Sequence, residues 1–158
     1  MREIRFDDIA TLRTMITETF GPWGDEVLVT QAMISAFAEL TGDHQWIHVD
    51  VERARRESPF KTTIAHGFLT LGLLGRLRPP EEFQIVGFKN VLNYGSDGLR
   101  FLAPVPAESA IHARRRLVDA VAKPNGTLVT GEVAVHVVGQ EKPSLLYKGL
   151  VLYQPARS

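Results

Sequence analysis

Two side chains able to exchange protons lie close together in the first third of the chain. Asp43 and His48 follow Gly42 in a predicted turn, with apolar residues on either side. An imidazole titrates near neutral pH, and the pKa of a carboxylate rises when it loses water. Such a pair can remove one proton and deliver another during a reaction. Alone, Asp43 is also typical of a turn and His48 of a buried histidine, but together they are the predicted catalytic residues.

A glycine that begins an apolar run supplies a second chemical group. Gly67 directly follows Ala65 and His66, and residues 67–77 are almost entirely apolar. The first N–H groups of a helix have no partner inside it and lie at the positive end of the helix dipole. We therefore predict that the Gly67 N–H donates to a developing oxyanion. An acid–base pair and an oxyanion donor together favour chemistry beside a carbonyl.

A metal site is the main alternative for this stretch. The residues of ligand type are Asp43, His44, His48 and His66, and the first two histidines are four positions apart. A two-histidine metal motif needs a long helix that holds both rings on one face, and this glycine-preceded segment lacks one. We predict no metal, and acid–base chemistry of this kind needs no cofactor.

Short elements are predicted to hold these groups in place. Residues 30–40 form a helix that Thr30 caps and Gly42 ends, so that Asp43 leaves a fixed helix terminus. The predicted buried face of this helix consists of Met33, Phe37 and Leu40. The other elements predicted before residue 60 are a helix at residues 7–19, a strand at 26–29 and a helix at 51–57 that Asp50 caps.

The apolar run at residues 67–77 is predicted to be a helix buried on all sides, with Gly72 and Gly75 marking close approach of a sheet. Strands are predicted after it, at residues 83–93, 99–102, 109–121, 129–137 and 145–153. This pattern predicts an α+β fold in which an antiparallel sheet wraps around one apolar helix. The strand at 145–153 is apolar on both faces, so we expect it to be central or covered by a partner, and we expect the protein to form a homodimer.

Composition narrows the range of functions. The 158 residues suffice for one domain, and we expect a single domain over residues 1–158 with an N-terminal helical extension at 1–20. The absence of cysteine removes disulfides and thiol chemistry. Eighteen basic and eighteen acidic residues cancel, so nucleic acid is not an expected partner. With no signal-peptide core and no apolar run that spans a bilayer, we expect a cytoplasmic protein without membrane contact.

Both chemical stretches resemble those of the MaoC-like dehydratases, also called R-specific enoyl-CoA hydratases. The two parts of the motif are Thr41-Gly42-Asp43-x-Gln45-x-x-His48-x-Asp50 and Ile64-Ala65-His66-Gly67. Further similarity lies in Asn93-Tyr94-Gly95 and in the segment from Leu99 to Pro106. The run Gly-Asp-His-Gln-Trp-Ile-His-Val-Asp is most similar to the nodulation-protein-N-like subgroup.

The resemblance implies a hot-dog fold, usually dimeric, with the active site near the subunit interface. It implies (R)-specific hydration of a trans-2-enoyl-CoA to a 3-hydroxyacyl-CoA, or the reverse dehydration. Asp43 and His48 would form the catalytic dyad, with the Gly67 N–H on the thioester oxygen. Gln45, Ala65 and His66 are further predicted residues of the oxyanion and substrate-binding region. Gln45 is expected to hold Asp43 or a water, and His66 to orient the turn or to contact the ligand.

Two other functions stay open on the same fold. One is acyl-CoA thioester hydrolysis, in which Asp43 activates water at the carbonyl carbon, and the other is non-catalytic binding of an acyl ligand. The chain also lacks a serine that better-known hydratases carry along the apolar helix. Either Thr70 substitutes for that serine or the substrate preference differs. The run Arg114 to Arg116 has two interpretations, a contact with coenzyme A phosphates or simply an exposed strand face.

Overall fold

The computed structural model describes residues 1–156, which form a five-stranded sheet, a two-stranded sheet and several helices. The helices are α1 (Ile9–Thr14), α2 (Gln31–Thr41), α3 (Trp46–Val49), α4 (Val51–Glu57), α5 (Gly67–Gly72) and α6 (Leu74–Leu77). The strands are β1 (Arg2–Arg5), β2 (Val27–Val29), β3 (Phe83–Val86), β4 (Asn90–Phe101), β5 (Ser109–Lys123), β6 (Gly126–Val137) and β7 (Leu145–Gln154).

The five-stranded sheet has the order β2-β5-β6-β7-β4, and every neighbouring pair is antiparallel. One face of the sheet packs against α5 and α6. The residues at the centre of this core include Leu69, Leu73, Leu77, Ile111, Ala113, Val135 and Leu145. A curled antiparallel sheet against a short apolar helix is the expected hot-dog fold, which is confirmed. The prediction that the last strand is central is also correct, since β7 lies between β6 and β4.

The apolar run at residues 67–77 forms two successive helices that meet at Leu73. The leucines that face the sheet are buried, but Phe68 lies on another side of α5 and is 63% exposed. Burial on all sides is therefore wrong for the single chain, because the sheet covers only part of the helix surface.

The two glycines inside this run do not mark a close approach. A Cβ atom built at Gly72 or at Gly75 would meet no other atom within 4 Å. The close approach lies instead at the first residue of α5, Gly67, where a Cβ would stand 2.7 Å from the Phe101 ring. Within residues 67–77, the glycine whose replacement would clash with a neighbouring side chain is thus Gly67, at the predicted oxyanion position.

Caps fix both ends of α2 as predicted. Thr30 Oγ1 accepts the Met33 N–H at 3.2 Å, and Gly42 closes the helix in the left-handed region with φ of 78°. The buried residues of α2 are Ile34 and Ala38. Leu40 is 83% exposed, so the predicted buried face is wrong at this position. The predicted and the observed buried residues of α2 both recur at helical spacing. Only packing against the rest of the core determines which of the two faces is buried.

The N-terminal region contains more than the predicted helix. The helix expected at residues 7–19 is confined to α1, and β1, which has no counterpart among the predicted elements, pairs in parallel with β3. Residues 17–24 then follow the edge of β5. The backbone N–H groups of Thr17, Gly21 and Gly24 donate to the carbonyls of Leu117, Arg115 and Ala113. This segment covers a strand edge that would otherwise be open to pairing.

The strand predicted at residues 83–93 is two strands in two different sheets. It divides into β3 and the start of β4 at residues 87–89, where Gly87 has φ of 80°. The strand predicted at 99–102 is the end of β4. Within residues 1–156, no helix is both long and apolar enough to cross a membrane.

Candidate active site

Asp43 lies in the turn that follows α2. The Asp43 N–H donates to Thr41 Oγ1 at 3.4 Å, and Asp43 Oδ1 accepts the Gln45 N–H at 3.3 Å. These local contacts orient the turn, while 55% of the Asp43 side chain is exposed. The carboxylate is thus held by its neighbours and still accessible to a ligand.

His48 belongs to α3, and its side chain is buried with 9% exposure. His48 Nδ1 lies 2.7 Å from the Ile64 carbonyl oxygen. A carbonyl oxygen only accepts, so in the neutral ring we assign the proton to Nδ1, which donates to it. The Nε2 lone pair is then the basic site of the ring. The Gln31 amide donates to the His48 carbonyl at 2.8 Å and fixes α3 against α2.

His66 lies beside both of these residues and is 3% exposed. His66 Nε2 is 3.0 Å from the Asp43 carbonyl oxygen and 4.0 Å from Asp43 Oδ2. The His66 ring stacks on the His48 ring with centroids 3.9 Å apart and an interplanar angle of 26°. The nitrogens of both histidines and the Asp43 carboxylate can all lie within 4.8 Å of one another. The predicted dyad residues are therefore brought together, with His66 in contact with both.

Gly67 is the first residue of α5, after the extended backbone of His66. Within residues 1–156, the N–H groups of Gly67 and Phe68 donate to no other group, whereas the next two donate to the His66 carbonyl. Two backbone donors are therefore free at this helix terminus. The Ala65 N–H donates to the Val105 carbonyl at 2.8 Å and holds the preceding segment to the loop after β4.

A groove of about 520 Å³ opens in front of these groups. Its lining residues are His48, Phe60, Ile64, Ala65, Gly67, Phe68, Thr70, Phe101, Leu102, Ala103, Pro104, Val105 and Ser144. The lining is mostly apolar, and its functional polar groups concentrate at the His48 end and at the start of α5. This combination suits an acyl chain that carries one reactive polar group.

The predicted site residues fall into two sets. His48, Ala65 and Gly67 line the groove, while Asp43, Gln45 and His66 are not among its lining residues. The Gln45 side chain is exposed, and its contribution to the site is the backbone N–H bond to Asp43.

Several groove residues were not singled out as site residues by their sequence. Phe60 and Ser144 come from loops and carry no motif signal, whereas Phe101 stands within the segment Leu99 to Pro106 that the family resemblance marks. The Ile64 carbonyl, which orients His48, is a backbone atom, so residue type gives no indication of its role. Thr70, the candidate substitute for a serine, is buried and lines the groove.

The cluster of Asp43, His48 and His66 has the residue types of a metal site but not its geometry. The lone pair of an imidazole nitrogen lies in the ring plane, so one ion bound by both rings must lie where the two ring planes meet. For two stacked rings this line is much farther from either nitrogen than a Zn–N distance of about 2.0 Å. Both rings therefore cannot bind one ion in this arrangement. In addition, His66 Nε2 is occupied by the Asp43 carbonyl. The geometry fits proton transfer better than metal binding.

His44 points away from the dyad. Its Nε2 lies 2.8 Å from a Glu39 carboxylate oxygen, and its Nδ1 lies 3.2 Å from the Gly42 carbonyl. The hydrogen bond with Glu39, followed by the one with Gly42, raises the pKa of the exposed His44 ring. The residue stabilises the turn from its outer side and does not contribute to the groove.

The arginine run on β5 is already engaged by groups of the described chain. The Arg114 guanidinium lies 4.6 Å from the centre of the Trp23 ring, and Arg115 pairs with Glu81. Arg116 bonds to Glu18 and Glu132, and these contacts raise its pKa. This arrangement favours a structural role for the run, and none of the three arginines lines the groove.

Comparison with known proteins supplies a context for this geometry. Residues 21–139 match the family described as MaoC like domain. The chain is 44% identical over 149 residues to 3-hydroxyacyl-thioester dehydratase Z of Mycobacterium tuberculosis strain H37Rv, covering 94% of this chain and 97% of that protein. It is 38% identical over 159 residues to nodulation protein N of Rhizobium meliloti strain 1021, covering 98% of this chain and 94% of that protein.

A solved structure shares the fold. The R-hydratase from Pseudomonas aeruginosa in its unliganded form superposes with a TM-score of 0.67 at 20% identity, covering 87% of this chain and 83% of that chain. At this level of identity the likeness concerns the fold alone.

Proposed function

The chain belongs to the MaoC-like dehydratase family and is an enzyme of the hydratase/dehydratase class, and from this premise we propose its reaction. The reaction is the (R)-specific addition of water to a trans-2-enoyl-CoA, or the reverse dehydration of the 3-hydroxyacyl-CoA. The relative named 3-hydroxyacyl-thioester dehydratase Z supports the thioester as substrate class. The resemblance to nodulation protein N expected from the sequence is confirmed.

In the hydration direction, the oxygen of water forms a bond to the β carbon and its proton passes to the dyad. The electrons of the double bond move toward the thioester oxygen, where the Gly67 N–H stabilises the developing negative charge. A proton from the dyad then reaches the α carbon. Asp43 and His48 share these two transfers as one coupled unit, and no cofactor or metal takes part.

The observation that carries this proposal is a cluster of proton-transfer groups and a free backbone N–H beside the apolar groove. The basic Nε2 of His48, the accessible Asp43 carboxylate and the free N–H of Gly67 come from three different elements. His48 and Gly67 line the groove, which is mostly apolar, and Asp43 lies beside His48 without lining it. Gln45 supports the Asp43 carboxylate through its backbone, and Ala65 forms part of the wall beside the oxyanion position.

We propose that the working form is a homodimer. β4 is an edge strand of twelve residues whose outer edge is unpaired within residues 1–156. The exposed apolar side chains on or near this strand are Phe68, Val91, Leu92, Tyr94 and Phe101. A long, exposed and partly apolar edge is a template for pairing with a second copy.

The direct test is an assay of purified protein against trans-2-enoyl-CoA thioesters of several chain lengths, with chiral analysis of the product. We expect formation of the (R)-3-hydroxyacyl-CoA and no loss of rate after treatment with a chelator. Release of free coenzyme A without hydration would establish thioester hydrolysis instead. Binding of the thioester without turnover would establish a non-catalytic acyl-binding protein.

A further inference from the structure

His66 contacts both members of the proposed dyad but does not line the groove. Its side chain is 3% exposed and is absent from the groove lining. The Phe37 ring also packs against the His66 ring, with centroids 5.0 Å apart and an interplanar angle of 56°. A ligand in the groove therefore has no direct access to the His66 ring.

The proton positions of His66 follow from its surroundings. Nε2 faces the Asp43 carbonyl, which only accepts, so Nε2 carries the proton and donates. Nδ1 is buried and, within residues 1–156, has no hydrogen-bond partner. In the neutral ring, the Asp43 carbonyl therefore selects the Nε2–H tautomer of His66.

The two contacts of His66 end on the two members of the dyad. One is the hydrogen bond to the backbone carbonyl of Asp43, and the other is the face of the His48 ring. A shift of the His66 ring would move the Asp43 turn and remove the support of the His48 ring together. The distance between the Asp43 carboxylate and His48 Nε2 therefore depends on His66, although His66 itself does not contact the groove.

We propose that His66 is a positioning residue that sets the geometry of the Asp43 and His48 dyad without touching substrate. This inference rests on the proposed function. It extends the expected orienting role of His66 from the Asp43 turn to both members of the dyad, without contact with the substrate. Small displacements of a catalytic pair have large kinetic effects, on the order of 10²-fold for a shift of about 1 Å.

The kinetic test separates the two contacts. His66→Phe keeps an aromatic ring against His48 and removes the hydrogen bond to Asp43, whereas His66→Gln keeps a donor and removes the ring. We expect either variant to lower kcat by about 10- to 100-fold with KM changed by less than about threefold. Phe37→Leu is the matched control, since it alters a different contact of the His66 ring and removes neither of the two dyad contacts. Its kcat should stay within about twofold of wild type.

Combining the His66 substitution with a substitution of Asp43 tests whether His66 acts through Asp43. In an Asp43→Asn protein, His66→Phe should reduce kcat by less than about twofold further, because residues that act as a unit are not additive. An equal loss in both backgrounds, or a loss expressed mainly in KM, would overturn the positioning role.

NMR spectroscopy and amide exchange test the same inference without measuring activity. Long-range ¹H–¹⁵N correlation spectra of the imidazole rings should show the proton on Nε2 of His66 and on Nδ1 of His48. Amide exchange at Gln45, whose N–H bonds to Asp43 Oδ1, should accelerate in His66→Phe and stay unchanged in Phe37→Leu. Unchanged exchange in His66→Phe, or an Nδ1–H tautomer of His66, would overturn the inference. Wild-type protein inactive on enoyl thioesters would overturn the proposed function alone.

Discussion

The His48 ring donates its Nδ1–H to the Ile64 carbonyl at 2.7 Å, and this contact leaves Nε2 as the basic atom. The same principle applies to His66, whose Nε2–H is used by the Asp43 carbonyl. In both cases a backbone oxygen selects the tautomer. The chemical difference between the two histidines lies in what their second nitrogen faces. For His48 it is available to a ligand, and for His66 it is buried with no hydrogen-bond partner among residues 1–156.

A third histidine shows what burial does to an imidazole outside the site. The His112 ring stacks on Trp23 with centroids 3.7 Å apart and an interplanar angle of 4°. Burial is the main cause that lowers the pKa of His112, with Arg114 and His136 acting in the same direction and Glu26 opposing them. Folding therefore favours the neutral ring, and protonation of His112 at acid pH destabilises the folded state.

The lowered pKa of His112 determines how the stability of the folded state changes with pH. When the folded pKa lies below the ordinary value of about 6.5, the stabilisation is fully present above that pH and is lost as the pH falls below it. His112→Phe keeps the stacked ring and removes the titration. We expect its urea midpoint to fall less than that of wild type between about pH 7.5 and about pH 5.5, measured by fluorescence.

His44 supplies a control for this prediction, because its pKa is shifted in the opposite direction. Contact with Glu39 raises the pKa of His44, so its contribution is present at acid pH and is lost as the pH rises through the folded pKa. His44→Gln should thus lose slightly more stability than wild type on acidification. An identical pH dependence in wild type and His112→Phe would show that the His112 ring is not desolvated as described.

At the scale of elements, the N-terminal segment is joined to the end of the central helix through a glycine. A Cβ at Gly24 would stand 2.1 Å from the Leu77 carbonyl oxygen and 2.7 Å from Pro79 backbone atoms. Backbone atoms cannot move aside as a flexible side chain can. Only glycine allows residues 17–24 to follow β5 and also to contact the end of α6.

Two glycine substitutions test this packing. Gly24→Ala should lower the free energy of unfolding by about 1–3 kcal/mol, because the added methyl group overlaps backbone. Gly72→Ala, its matched control in α5, meets no atom within 4 Å. It should leave stability unchanged or raise it by up to about 1 kcal/mol through helix propensity. Denaturant unfolding of both variants checks the difference, and equal effects would contradict the described contact at Gly24.

Elements with a clear local signal could be predicted from the sequence, and those defined by distant contacts could not. The caps of α2 at Thr30 and Gly42 and the N-cap of α4 at Asp50 are local and were predicted correctly. β1 forms only by pairing with a strand about eighty residues away, and no local pattern indicates it. Asp43, His48 and Gly67 could be named from residue type and spacing. The arrangement of His66 depends on the Asp43 backbone carbonyl and on a ring stack with His48, which spacing does not encode.

At the scale of the whole molecule, the two edges of the main sheet differ. β5 continues past the three-residue strand β2, and residues 17–24 cover that part of its edge. The opposite edge is β4, which is long and exposed along almost all of its length. Because Phe101 at the end of β4 packs against the start of α5, pairing along β4 would place a second copy close to the groove.

A charge on each edge tests the proposed dimer. Leu92→Glu on β4 should shift the protein toward monomer, whereas Leu28→Glu on β2 should leave the dimer intact, since both leucines are about half exposed. Sedimentation velocity at micromolar concentration measures the outcome. A wild-type protein that sediments only as a monomer would contradict the dimer, and dissociation by Leu28→Glu alone would move the interface to the other edge.

The central claim is that Asp43 and His48 act as one acid–base unit on an enoyl thioester. The most direct measurement is the initial rate of trans-2-enoyl-CoA hydration by wild type, Asp43→Asn, His48→Gln and the double variant, each shown to be folded by circular dichroism. Either single substitution should lower kcat by at least about 10²-fold, because each removes a positioned proton-transfer group. The double variant should be little worse than the slower single variant, and KM should change less than kcat. A folded Asp43→Asn protein that hydrates the substrate at close to the wild-type rate would contradict the account.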